Sequence, residues 1–172
     1  MCDEVKDMEG VRQMTSNYLI VVGVDGSDGG RRALDWAARE AATRGGAVQA
    51  VIAWRWDGIE SGPMTAGNPT DEEERARAIL DREIQALTAR RGSSSPVAAE
   101  VVEGRAADVL TRAARTADLL VLGSHGHSRV RHTVLGSVSE ECVRKASCPV
   151  VVIPVPVPVP VPRATAEPAL PV

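Results

Sequence analysis

Two patterns of apolar residues alternate along the chain: short unbroken runs, and longer stretches with helical spacing. YLIVVGVD, from Tyr18 to Asp25, is too short for a helix and rich in β-branched residues, so it predicts a strand buried on both faces. GSDGG follows as a turn, and Ser27 or Asp28 is placed to cap a helix from about Gly29 to Arg44. Its apolar stripe is Ala33, Leu34, Ala37, Ala38 and Ala41. Gly45 and Gly46 end it, and Val48 to Trp54 is the next strand. Residues 55 to 69 are rich in Gly and Pro and read as a surface loop. Thr70 and Glu73 have the spacing of a capping box. The helix they open runs to about Arg91, with Ala76, Ile79, Leu80, Ile84 and Leu87 on one face. GSSSP is a linker, and Val97 to Val102 a third strand. Gly104 turns the chain into a helix bearing Val109, Leu110, Ala113 and Ala114. Leu119 to Leu122 is a fourth strand, Ser137 to Ala146 a fourth helix, and Val150 to Ile153 a fifth strand.

Strand and helix thus alternate five and four times. Such alternation predicts an α/β fold: a five-stranded, mostly parallel sheet with helices on both faces, because each right-handed crossover lays its helix against the sheet. Ligands of such sheets bind outside the carboxyl ends of the strands, at the topological switch point. The predicted domain covers residues 18–153. Residues 1–17, with four acids against Lys6 and Arg12, read as a disordered leader. Either Met1 or Met14 is the true start.

Composition narrows the function classes. The 172 residues are 44% hydrophobic and 25% charged, as in soluble globular proteins. With three Trp, one Tyr and no Phe, the core must be built from Val, Leu, Ile and Ala. A net charge of −3 gives no basic field for nucleic acid or an anionic membrane. No apolar run reaches the roughly 18 residues that span a bilayer, and the acidic first residues are no secretory signal. Cys2, Cys142 and Cys148 are too few and too ill-spaced for a disulfide framework or zinc cage, so a reduced, cytoplasmic setting is expected.

The fourth predicted strand leads into GSHGHSRVRHTVLGSVSEEC. Gly123 and Gly126 are followed by Gly136, where Ser137 and Val138 open a helix. Glycine permits positive φ and lets a ligand approach the amides without a Cβ in the way. The free amides and dipole of the helix start favour an anion, and Ser137 adds a hydroxyl. The physical reading is a phosphate cradle. Asp25, at the end of the first strand, reads either as an acceptor for a ribose hydroxyl or ligand of Mg²⁺, or as a turn residue before Gly26.

The pattern G-x2-G-x9-G-[ST] resembles the nucleotide-binding signature of the universal stress protein family. The likeness extends from about Tyr18 to Ile153 through VVGVDGS, the strand ending in Ala53 and Trp54, DLLVLGSHG, LGSVSE and CPVVVI. It implies a Rossmann-like α/β fold, a homodimer and, because every signature position is kept, membership of the ATP-binding subset. By the resemblance, Gly123, Ser124, His125, Gly126, His127, Ser128 and Arg129 wrap the ribose and phosphates. Gly136, Ser137 and Val138 make a second phosphate contact, Gly23 and Asp25 lie at the end of the first strand, and Ala53 meets the adenine. Asp25 would stand near the ribose or a phosphate-bound Mg²⁺.

Other residues carry weaker signals. His125, His127 and His132 lack zinc spacing and suit contact with phosphate or solvent. Arg129 and Arg131 either neutralise phosphate or decorate a solvated loop. Trp54 and Trp56 border the base or cap an apolar edge. No G-x-S-x-G elbow and no Walker lysine is present, so no catalytic residue is assigned. Residues 154–172 begin PVPVPVPVP, whose prolines exclude a central strand and favour an extended rod of about 3 Å per residue. The expected function is a nucleotide-dependent stress-response regulator or sensor acting on an unknown protein partner. Alternatives are a slow Mg²⁺-dependent ATPase or phosphotransferase, and a dimeric scaffold using the Pro-Val tail.

Overall fold

The computed structural model describes residues 18–55, 68–92, 96–126 and 135–155. They form strands β1 (Leu19–Gly23), β2 (Ala47–Trp54), β3 (Val97–Glu103), β4 (Leu119–Gly123) and β5 (Val150–Ile153). Between them lie helices α1 (Asp28–Arg44), α2 (Pro69–Arg91), α3 (Ala106–Ala113) and α4 (Ser137–Lys145). The sheet order is β3-β2-β1-β4-β5, and each pairing is parallel. This is the α/β sheet the alternation predicts, wholly rather than mostly parallel.

Side chains alternate between two faces, as strand geometry requires. Ile20, Val22, Val48, Ala50, Leu119 and Val121 meet α1 and α2 on one side. Val21, Val51, Leu120 and Leu122 meet α3 and α4 on the other. Because α1 leaves β1 toward one face and α4 follows β4 on the other, the chain parts between β1 and β4. That is the switch point.

Caps set the helix ends. Ser27 accepts from the Gly30 N–H at 3.1 Å and starts α1, and Gly45, in the left-handed region at φ 65°, ends it. The second helix corrects the sequence reading. Its cap is Asn68, whose Oδ1 accepts from the Thr70 N–H at 3.3 Å, and Pro69 is the first helical residue. Proline has no N–H to satisfy there and a φ suited to a helix start. Thr70 is therefore already inside the helix, and Glu73 pairs with Arg77 instead. On the sheet side, α2 buries Ala76, Leu80, Glu83 and Leu87, while Ile79 and Ile84 flank them half-buried. Glu83 is 2% exposed, and Arg31 of α1 meets it with two hydrogen bonds, at 3.0 and 3.4 Å. No described helix is long and apolar enough to cross a membrane.

Candidate functional site

The carboxyl ends of β1, β2 and β4 open onto a cleft of about 320 Å³. Gly23 and Asp25 line it from β1, Ala53 from β2, and Gly123, His125 and Gly126 from β4. Gly136, Ser137 and Val138 line it from the start of α4. Nine of the expected site residues therefore meet in one place. Ser124 does not line this cleft. Its hydroxyl accepts from the Val155 N–H at 3.1 Å and lies 3.2 Å from His125 Nδ1, and its carbonyl accepts from the Gly136 N–H at 2.7 Å. It ties the loop to the chain leaving β5. His127, Ser128 and Arg129, like Arg131, His132 and Trp56, fall outside the described residues.

The glycines were expected to permit positive φ and to keep a Cβ out of a ligand's way. None of Gly123, Gly126 and Gly136 has positive φ. They make room. A Cβ on Gly123 would stand 2.5 Å from the Gly29 carbonyl carbon, so the glycine lets the first turn of α1 pack directly on the end of β4. A Cβ on Gly126 would collide with Oδ2 of Asp25. Asp25 takes the turn role and also lines the cleft. Its Oδ1 accepts from the Ser27 N–H at 3.0 Å and from the Ser27 hydroxyl at 2.6 Å, which fixes a carboxylate on the cleft wall.

At the other wall, Gly136 is the N-cap of α4 and makes no side-chain cap hydrogen bond. The amides of the first turn thus have no intrahelical acceptor and face the cleft with the positive end of the helix dipole. Ser139 holds this turn in place by donating to the Gly123 carbonyl at 2.7 Å. The sequence reading missed Ser139, as it missed Val51, Ala106, Leu110 and Leu122, which make the remaining wall apolar. Position at the rim of β2, α3 and β4 was the available signal. The cleft is thus graded, apolar beside β2 and α3 and rich in amides beside α4.

Burial pushes the Cys142 thiol up to about 11, and burial raises Cys148 as well. Neither lines the cleft. Among the described residues, no three His, Cys, Asp or Glu side chains are grouped to hold a metal.

Together these features define a doubly wound α/β protein with a glycine-lined crevice at its switch point. Residues 19–154 match the model of the universal stress protein family, and the chain belongs to that family. A universal stress protein of Mycobacterium tuberculosis is 30% identical over 134 residues, which cover 78% of this chain and 47% of the relative. The chain spans about half the length of the curated relatives it matches. Among solved structures, a universal stress protein in complex with cAMP is 26% identical, with TM-score 0.61 over 79% of this chain and 96% of its own. One from Archaeoglobus fulgidus in complex with dAMP is 25% identical, with TM-score 0.57 over 78% and 96%.

Proposed function

We propose that the cleft binds an adenine nucleotide, ATP in particular, and that the chain is a nucleotide-dependent regulatory module in the stress response. The observation that carries this is the pairing of a fixed carboxylate, Asp25, with the uncapped start of α4 across one glycine-lined cleft. The apolar wall at Val51, Ala53 and Leu110 suits a base, the amides at Ser137 and Val138 suit phosphates, and Asp25 suits ribose hydroxyls. The cAMP and dAMP complexes of similar proteins support the same ligand class. Asp25 is also the residue that would hold Mg²⁺. With one carboxylate available, the ion would draw its other ligands from phosphates and water, as Mg²⁺ commonly does.

Two further features belong to this reading. The strand β5 ends the sheet with four half-buried apolar residues, Val150 to Ile153, which supports a homodimer. Free Cys142 and Cys148 suit a reducing cytoplasm.

Titration calorimetry with ATP, AMP and cAMP tests the reading, alongside mass spectrometry of nucleotide retained through purification. Saturable binding of an adenine nucleotide is expected. Absence of binding at millimolar ligand overturns it. Steady phosphate release that Asp25→Ala abolishes would instead assign a slow ATPase.

A further inference from the structure

A second, broader depression of about 870 Å³ lies along α1 and shares no lining residue with the cleft. Five guanidinium groups surround it: Arg31, Arg32 and Arg39 from α1, and Arg90 and Arg91 from the end of α2. One carboxylate, Asp35, stands among the described lining residues. Arg91 grips Asp35 with two hydrogen bonds of 2.6 and 2.9 Å, and Arg39 lies 3.6 Å from it. Arg31 is engaged by Glu83 and Asp28. Arg32 and Arg90 make no hydrogen bond or ion pair among the described residues, and both are exposed. A chain of net charge −3 thus concentrates positive charge on one face.

The depression is not purely polar. Half-buried Trp36 and Ile153, together with Pro154, give it an apolar end. A ligand that used the whole surface would present carboxylates to the arginines and an apolar side chain to Trp36. Asp28 and Asp35, set among the arginines, would repel an extended polyphosphate backbone, which carries charge at every step. They leave room for a short segment whose charges are spaced by apolar residues.

We propose that this face is a docking surface for an acidic protein segment, its carboxylates on Arg32 and Arg90 and an apolar side chain against Trp36. The surface also adjoins the cleft: Arg31 follows directly on Gly30, which lines the cleft. A partner here and a nucleotide there would touch the same turn of α1.

The test uses the full chain and a fluorescein-labelled peptide of alternating Glu and Leu, followed by anisotropy. Binding that weakens with salt is expected, with a loss of about tenfold or more in the double variant R32E/R90E. Neither arginine lines the nucleotide cleft, so ATP titration should stay unchanged in that variant. This keeps failure here distinct from failure of the nucleotide reading. No binding of the peptide, or binding unaffected by the charge reversal, overturns the proposal. An oligothymidylate of equal charge that binds as tightly as the peptide, or tighter, also overturns it and assigns the face to nucleic acid.

Discussion

Asp25 and Gly126 meet across the cleft, the carboxylate filling the space that a Cβ on Gly126 would need. Gly126→Ala must therefore move either the loop or the carboxylate. Adenine nucleotide affinity is expected to fall about tenfold, equivalent to about 1.4 kcal/mol. Overpacking should cost about 1 kcal/mol of stability. Calorimetry and urea unfolding read the two effects separately, and unchanged affinity would detach Asp25 from the binding site.

Ser27 serves two neighbours at once, accepting from the Gly30 N–H and donating to Asp25. Ser27→Ala removes both links. A loss of about 1 kcal/mol is expected from the cap alone, together with weaker nucleotide binding because Asp25 then keeps, of its two bonds to Ser27, only the one from the N–H. Ser27→Asn, which still caps, should recover most of the stability. If Ser27→Ala binds nucleotide as tightly as the unaltered chain, the Ser27 hydroxyl does not position Asp25.

The Arg31–Glu83 pair is asymmetric, since the side chain of Arg31 is 41% exposed and that of Glu83 only 2%. Arg31→Ala strips a buried carboxylate of its main partner and should cost about 3 kcal/mol. Glu83→Leu leaves an arginine that can rehydrate and still reach Asp28, so its cost should be smaller. Equal losses in urea unfolding would refute this account of the pair.

Acid should expose the same pair. Burial pushes the Glu83 carboxyl up, but the hydrogen bond and charge of Arg31, joined by Arg82, outweigh it and leave the group below its ordinary value. A carboxyl depressed in the folded state stabilises the protein above its unfolded value, and that contribution is lost as pH falls through the folded value. The hydrogen bond from Arg91 lowers Asp35 too, and acts in the same direction. Stability measured by urea midpoint should thus decline from pH 5 downward, and Arg31→Ala should decline less steeply. A parallel decline in the two proteins would rule Glu83 out as a source.

Cys142 is fully buried, with its thiol raised to about 11, and Cys148 is half-exposed. Since the thiolate is the reactive form, a maleimide at pH 7 should label Cys148 well before Cys142. Mass mapping of the labelled peptides checks this, and rapid modification of Cys142 in the folded protein would contradict its burial.

Much of this architecture was legible because it is written in local patterns. The β-branched run at Ile20–Val22 announces a strand buried on two faces, that at Val150–Ile153 a further strand, and the glycines of 123, 126 and 136 mark the loops around the cleft. Where the reading went astray, a nearby residue competed or a distant one intervened. Thr70 with Glu73 has capping-box spacing, but Asn68 and Pro69 start the helix first. Glu83 looks like a solvated residue beside Ile84, since its partner Arg31 lies 52 positions away. Ala106 and Leu110 carry no motif, and they join the cleft only because α3 begins at the rim of β2. Of the two roles expected of the glycines, the positive φ is absent, and the packing of Gly123 on Gly29 and of Gly126 on Asp25 is a tertiary fact that no spacing encodes.

The alanines of α1 have a mechanical consequence. Ala33, Ala37, Ala38 and Ala41 are at most 6% exposed and face the sheet. With such short side chains between backbone and sheet, α1 rides close to the strands and is the fixed member of the assembly, since close-packed layers leave little slack. By contrast, α4 buries only Ser139 and Cys142. Of these two helices, both beginning beside the cleft, α4 has less packing to lose by moving, so displacement in response to a bound molecule would be borne by α4 while α1 serves as the anvil.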